Sequence, residues 1–138
     1  MKNNNKLNIA IVGLGNIGSY LYKYLKINKE ILSKKNNCVP NIIFVSAKNK
    51  NKKRNIKINK KKWLKNYLDA TKLKNVDIIV ELIGGAEGAA KKLVFNALKN
   101  KKHVVTANKA LIAKYGDQLS KIAEENNVNL EFEAAVCG

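Results

Sequence analysis

Three glycines in the pattern Gly13-x-Gly15-x-x-Gly18 follow the apolar run Ile9–Val12 and stand where a helical repeat begins. That order of residue types suits a cradle for a dinucleotide pyrophosphate. Gly13 makes the tight turn, Gly15 lets the backbone approach the phosphates with no Cβ in the way, and Gly18 lets the helix pack close to the strand. The unpaired N–H groups of the first helical turn, at Asn16, Ile17 and Gly18, add donors and a partial positive charge. A second group of chemical interest is Glu81-Leu-Ile-Gly-Gly-Ala-Glu87 and a third is Thr106-Ala-Asn-Lys109. Gly84 and Gly85 either let backbone lie against a ribose or flat ring or form a plain turn. Lys109 either hydrogen-bonds a substrate hydroxyl or carbonyl and moves a proton or is an ordinary surface lysine. Ala107 and Thr106 would then line the same region.

These groups need elements that bring them together. Leu7–Val12 reads as a strand and Ile17 to Lys26 as a helix whose apolar face is Ile17, Tyr20, Leu21, Tyr24 and Leu25, at i, i+3, i+4, i+7 and i+8. Asn28 to Asn37 reads as a polar connection and Ile42–Ser46 as a second strand, with Pro40 just ahead of it. Residues 48–62 form a basic loop that leads into a short helix around Trp63–Leu68, with Trp63 anchoring the loop to the core. Val76–Ile83 is a third strand; Ala90, Leu93, Val94, Ala97 and Leu98 mark a helix face, and Lys102–Thr106 a fourth strand. Two short helical pieces on either side of Gly116 and a last strand at Asn129–Glu133 complete the chain. Alternating strands and helices imply an α/β fold: a Rossmann-type, doubly wound parallel sheet in three αβα layers, one domain over residues 1–138. In such a sheet, ligands lie beyond the carboxyl ends of the strands, and all three chemical groups fall at strand ends.

The second strand ends in Val45-Ser46-Ala47-Lys48 with no carboxylate, and Arg54 lies a few residues on. An acidic residue there would accept from a ribose 2′-hydroxyl and repel a 2′-phosphate, so its absence predicts NADP over NAD, with Ser46 and Lys48 or Arg54 at the phosphate. The competing reading is a solvated basic loop. Formal net charge is +17, from 27 Lys and Arg against 10 Asp and Glu. The lysines are spread over most solvent-facing positions and are not interleaved with aromatics, which argues for compositional bias over a nucleic-acid surface. No apolar run reaches the ~18 residues of a membrane span, and no leader pattern is evident, so the chain reads as cytoplasmic, with Cys38 and Cys137 as reduced thiols. His103, the single histidine, reads as structural, and Glu81 and Glu87 as groups that orient the neighbouring turn.

Taken together, Ile11-Val-Gly-Leu-Gly-Asn-Ile-Gly18, Asp77-Ile-Ile-Val-Glu-Leu-Ile-Gly-Gly85, Val104-Val-Thr-Ala-Asn-Lys-Ala-Leu-Ile112 and Phe132-Glu-Ala-Ala-Val-Cys-Gly138 resemble homoserine dehydrogenase over essentially the whole chain. The resemblance implies NAD(P)-dependent interconversion of L-homoserine and L-aspartate 4-semialdehyde. It makes Lys109 a catalytic lysine and matches Glu133, Val136 and Gly138 to a monovalent-cation loop that holds sodium. It also implies that a substrate-binding and dimerising domain, with a second catalytic lysine, belongs to the full-length enzyme, which would be a homodimer. On this reading the chain is a fragment or truncated product that binds cofactor without turning over. The alternative is a stand-alone NADP-binding sensor without chemistry.

Overall fold

The computed structural model describes residues 5–132. Five strands form one parallel sheet: β1 (Lys6–Val12), β2 (Val39–Ser46), β3 (Ile78–Glu81), β4 (His103–Thr106) and β5 (Leu130–Phe132), in the order β2-β1-β3-β4-β5. Four helices connect or flank them: α1 (Asn16–Ile27), α2 (Lys29–Asn36), α3 (Ala89–Lys99) and α4 (Lys109–Glu125). Strand order reverses between β1 and β3. In a parallel sheet that is where a crevice opens outside the carboxyl ends.

The period-two rule of strands divides the core. Ile9 and Ile11 of β1 pack with Leu14, Tyr22 and Val45 on one face, whereas Ala10 and Val12 pack with Ile79, Leu93, Leu98 and Leu111 on the other. The α/β three-layer expectation holds. Between β1 and β2 the register skips Ile43, because Ile9 pairs with Ile42 and Ala10 with Phe44. The bulge turns Ile43 and Phe44 toward the α3–α4 face and returns Val45 to the α1 face.

Four local expectations are corrected. The polar stretch after Asn28 is helical as α2, ended by Asn37 in the left-handed conformation at φ 53, a common helix stop for asparagine. The second strand begins at Val39 and includes Pro40, which lies in β2 at the edge of the sheet, where a missing N–H is tolerated. Residues 63–68 do not form one helix. Two 3-10 turns, Lys60–Lys62 and Tyr67–Thr71, bracket a segment in which Trp63 bridges to Val45. Finally, α4 runs unbroken through Gly116, since packing of Leu111, Leu119 and Ala123 holds the helix across it.

The buried face of α1 also differs from expectation. Gly18 and Tyr22 are buried and Leu21 and Leu25 pack beside them, while Ile17 is 66% exposed and Tyr20 69%. Both sets obey helical spacing, and the close approach at Gly18 selects which one faces the sheet. Among the described residues no helix is long and apolar enough to cross a membrane.

Candidate functional site

Parallel register lines up Ser46, Val12, Glu81, Thr106 and Phe132 across one edge of the sheet. With neighbouring strands about 4.8 Å apart, the segments that follow them share one rim. The glycine turn after β1, the Ile83–Gly85 turn after β3 and the Lys109 helix start after β4 are therefore on the same side of the sheet. The tertiary structure brings the three groups together.

The glycine turn is fixed from both neighbours. The Gly13 N–H donates to the Ser46 carbonyl at 2.9 Å, and the Leu82 N–H donates to the Val12 carbonyl at 2.8 Å. Gly13 sits at φ +107, and a Cβ there would lie 2.6 Å from the Leu82 carbonyl; one on Gly18 would lie 2.0 Å from the Gly13 carbonyl oxygen. A Cβ on Gly15 would meet nothing within 4 Å. The first two glycine requirements are thus internal to the fold, whereas the space beside Gly15 opens outward. Here α1 begins with no side-chain cap and no acidic residue in its first turn, which leaves N–H groups of the first turn, including those of Asn16 and Ile17, available to an anion.

A cleft of about 820 Å³ opens from this turn and is lined by Gly13, Gly15, Ser46, Lys48, Arg54 and Ile83, among others. That volume lies within the range of cofactor sites. Ser46 is buried at the end of β2, and Lys48 is exposed on the rim. Arg54 is largely committed to the protein: its Nε donates to the Leu14 carbonyl at 2.9 Å, and its terminal nitrogens donate to the carbonyls of Asn49, Lys50 and Lys52. The guanidinium also lies over the Trp63 ring, as does Lys50. Arg54 thus ties the basic loop to the glycine turn, and Trp63 fixes the loop to β2 as the sequence suggested.

Along the same rim but outside the lining of this cleft, Gly84 and Gly85 adopt φ +91 and +84, with open space beside Gly84. Lys109 is exposed at the first position of α4, beside exposed Ala107. Between these segments runs a network the sequence reading did not assemble. The Glu81 carboxyl accepts from the N–H groups of Ile83 and Gly84 and from the Thr106 hydroxyl, and Asn108 joins Thr106 to Gly85. The Thr106 hydroxyl is therefore engaged inside the fold. Asn108 was legible as a helix cap, being an asparagine directly ahead of a helical repeat, and Glu81 as an acid that follows the apolar run Ile78–Val80 directly.

Glu87, after the same turn, accepts from Lys114 at 2.7 Å, from Lys91 at 3.3 Å and from the Tyr115 hydroxyl. The Lys114 and Tyr115 bonds, in that order, bring its carboxyl down to about 2. His103 accepts the Asn129 N–H at Nδ1, at 3.0 Å, which fits a structural part. Lys102 is a further residue missed from sequence: it is buried and its amine donates to the carbonyls of Leu73 and Val76. The cation-loop residues Glu133, Val136 and Gly138, with Cys137, lie outside the described residues. Among the described residues no three His, Cys, Asp or Glu side chains cluster as metal ligands do.

Residues 13–133 match the family model described as the NAD-binding domain of homoserine dehydrogenase. A homoserine dehydrogenase of Bacillus subtilis is 37% identical over 132 residues, 96% of this chain and 30% of that protein. The crystal structure of Staphylococcus aureus homoserine dehydrogenase at pH 6.0 superposes with a TM-score of 0.86 at 38% identity, covering 96% of this chain and 33% of its own. That of Thiobacillus denitrificans gives 0.88 at 32% identity, with 98% and 31% covered. The chain spans about a third of the length of these proteins.

Proposed function

This chain belongs to the homoserine dehydrogenase family, over the NAD-binding domain, and from that premise we propose that it binds NADP across the β1–β3 switch point and serves the NADP-dependent interconversion of L-homoserine and L-aspartate 4-semialdehyde. The observation that carries the proposal is the outward-opening space at Gly15 beside the uncapped start of α1. A Cβ would occupy the volume a pyrophosphate needs, and no side chain competes for the helix N–H groups. The residues present therefore fit the cofactor.

Gly15, Asn16, Ile17 and Gly18 would hold the pyrophosphate through the main chain, and Gly13, whose N–H is engaged at Ser46, would shape the turn that presents them. The absence of a carboxylate at the end of β2, with Ser46, Lys48 and Lys52 lining the cleft, favours a 2′-phosphorylated ribose on charge grounds. With most of its N–H groups engaged, Arg54 would contribute mainly charge. Gly84, Gly85, Thr106 and Ala107 would flank the nicotinamide ribose through backbone, and Lys109 would hydrogen-bond the substrate oxygen and move its proton. The cofactor, when bound, supplies the hydride acceptor or donor.

Titration of the protein with NADP and NAD in parallel tests the cofactor half. Tighter binding of NADP by about tenfold or more is expected, the effect of roughly 1.4 kcal/mol from one charged contact; equal or tighter binding of NAD defeats it. Formation of NADPH absorbance on adding L-homoserine and NADP to the full-length gene product tests the reaction. Cofactor binding by that folded product without the signal would instead describe an NADP-binding module.

A further inference from the structure

We propose that Glu81 is a positioning residue that locks the turn after β3 to the helix carrying Lys109, an inference that rests on the dinucleotide reading of the cleft. Its side chain is wholly buried, and neither of the two ion pairs found among the described residues includes it. A buried carboxyl with no cation beside it is costly unless hydrogen bonds compensate. Here they do, and they converge from two different segments.

Glu81 Oε2 accepts the Ile83 N–H at 2.8 Å and the Gly84 N–H at 3.0 Å, and Oε1 accepts the Thr106 hydroxyl. Thr106 Oγ in turn accepts the Asn108 N–H at 3.0 Å. Asn108 then acts in two directions. Its Nδ2 donates to the Gly85 carbonyl at 2.7 Å, and its Oδ1 caps α4 by accepting the Leu111 N–H at 3.0 Å. The circuit leaves the β3 turn at Glu81 and returns to it at Gly85. Sheet pairing ends at Glu81 and Thr106, so beyond that row this circuit joins the two segments. A shift of the Glu81 carboxyl would displace both the left-handed Gly84–Gly85 backbone and the residue that precedes Lys109. The glycine turn after β1 touches the β3 turn at Leu82, but it is also held from the β2 side by the Ser46 carbonyl and by the close approach of Gly18 to Gly13. Loss of the circuit should therefore loosen the nicotinamide end of a bound dinucleotide more than the adenosine end, which keeps its anchorage to β2.

The test compares two ligands on the chain and on Glu81→Gln, Thr106→Val and Asn108→Asp. On the dinucleotide reading NADPH would reach from the glycine turn to the Gly84–Gly85 and Lys109 segments; 2′,5′-ADP carries the adenosine phosphates without a nicotinamide. Asn108→Asp retains a favoured cap oxygen for α4 and replaces the donor to Gly85 by a carboxylate oxygen that repels that carbonyl, and because Asn108 is buried like Glu81 and Thr106, the unfolding of each variant is measured beside its ligand binding. The expected result is a loss of NADPH affinity of about tenfold, with 2′,5′-ADP affinity kept within about twofold. The emission of the bound reduced nicotinamide should also move toward that of the free cofactor. Parallel weakening of both ligands, or unchanged NADPH affinity and emission in Asn108→Asp, overturns the inference. A wild-type chain that binds neither ligand overturns the dinucleotide reading itself, and does so before any substitution is compared.

Discussion

The three glycines of the first turn have separable physical reasons, and substitution should separate them. Gly18 leaves no room for a methyl group, because its Cβ would stand 2.0 Å from a backbone oxygen that cannot swing away. Gly18→Ala is expected to destabilise the fold by about 1–3 kcal/mol or more, as overpacking does, measured by denaturant unfolding. Gly15 has free space on its Cβ side, so Gly15→Ala should unfold within about 0.5–1 kcal/mol of the parent, with alanine stabilising if anything, yet bind NADP more weakly by about tenfold. A Gly15→Ala protein with unchanged NADP affinity would show that the phosphates lie elsewhere. Lys102 obeys a different rule. Its amine satisfies two carbonyls at the end of the β3 approach while burial draws its pKa below the ordinary lysine value and Asp77 opposes that shift. Lys102→Ala removes both bonds and should cost about 1–3 kcal/mol in the same unfolding measurement.

Between elements, the contact of α3 with α4 carries the clearest pH dependence. Glu87, just ahead of α3, accepts from Lys91 of α3 and from Lys114 and Tyr115 of α4, and Phe95 meets Tyr115 edge-on. Lys114, Tyr115 and then Lys91 hold the Glu87 carboxyl down at about 2 against an ordinary 4.5, with slight burial opposing them. A carboxyl whose pKa is lower folded than unfolded stabilises the fold fully above the unfolded value, and the contribution fades as pH falls from about 4.5 through about 2. Carbon-detected titration should find the Glu87 midpoint near 2 in the parent and higher in Lys114→Gln. An unchanged midpoint in Lys114→Gln would remove this account. The α1 surface shows the limit of pattern reading at this scale. Ile17, Tyr20, Tyr24 and Ile27 satisfy a helical period as well as Gly18, Leu21, Tyr22 and Leu25 do, yet the first set is exposed.

For the molecule as a whole, the charge of +17 is spread along the chain, and part of it falls at the cleft. Lys48, Lys52, Arg54 and Lys65 line it, and elsewhere lysines crowd enough that burial, then Lys26 and Lys29, lower the Lys62 amine. Coulomb attraction for a 2′-phosphate should weaken as the Debye length contracts from about 10 Å at 0.1 M salt to about 3 Å at 1 M. The ratio of NAD to NADP dissociation constants is therefore expected to shrink across that range; a salt-independent ratio would assign the preference to hydrogen bonds at Ser46 alone. Which parts of this were readable without coordinates follows from the range of the forces involved. The strand–glycine–helix junction, the apolar face of α3 and the parallel α/β class depend on neighbours within a few residues, so the sequence alone determined them. Whereas the helix at residues 29–36 buries no residue and rests on local helix formers such as Glu30, Leu32 and Lys34, the continuity of α4 across Gly116 and the inward face of α1 depend on surfaces supplied by distant segments. The same holds for the binding site. Arg54 was visible as a cation, but its engagement with four carbonyls came from the folding of the loop over Leu14 and Trp63. Glu81, Thr106, Asn108 and Gly85 were visible as separate residues, and only the parallel register of β3 and β4 placed them within hydrogen-bond reach.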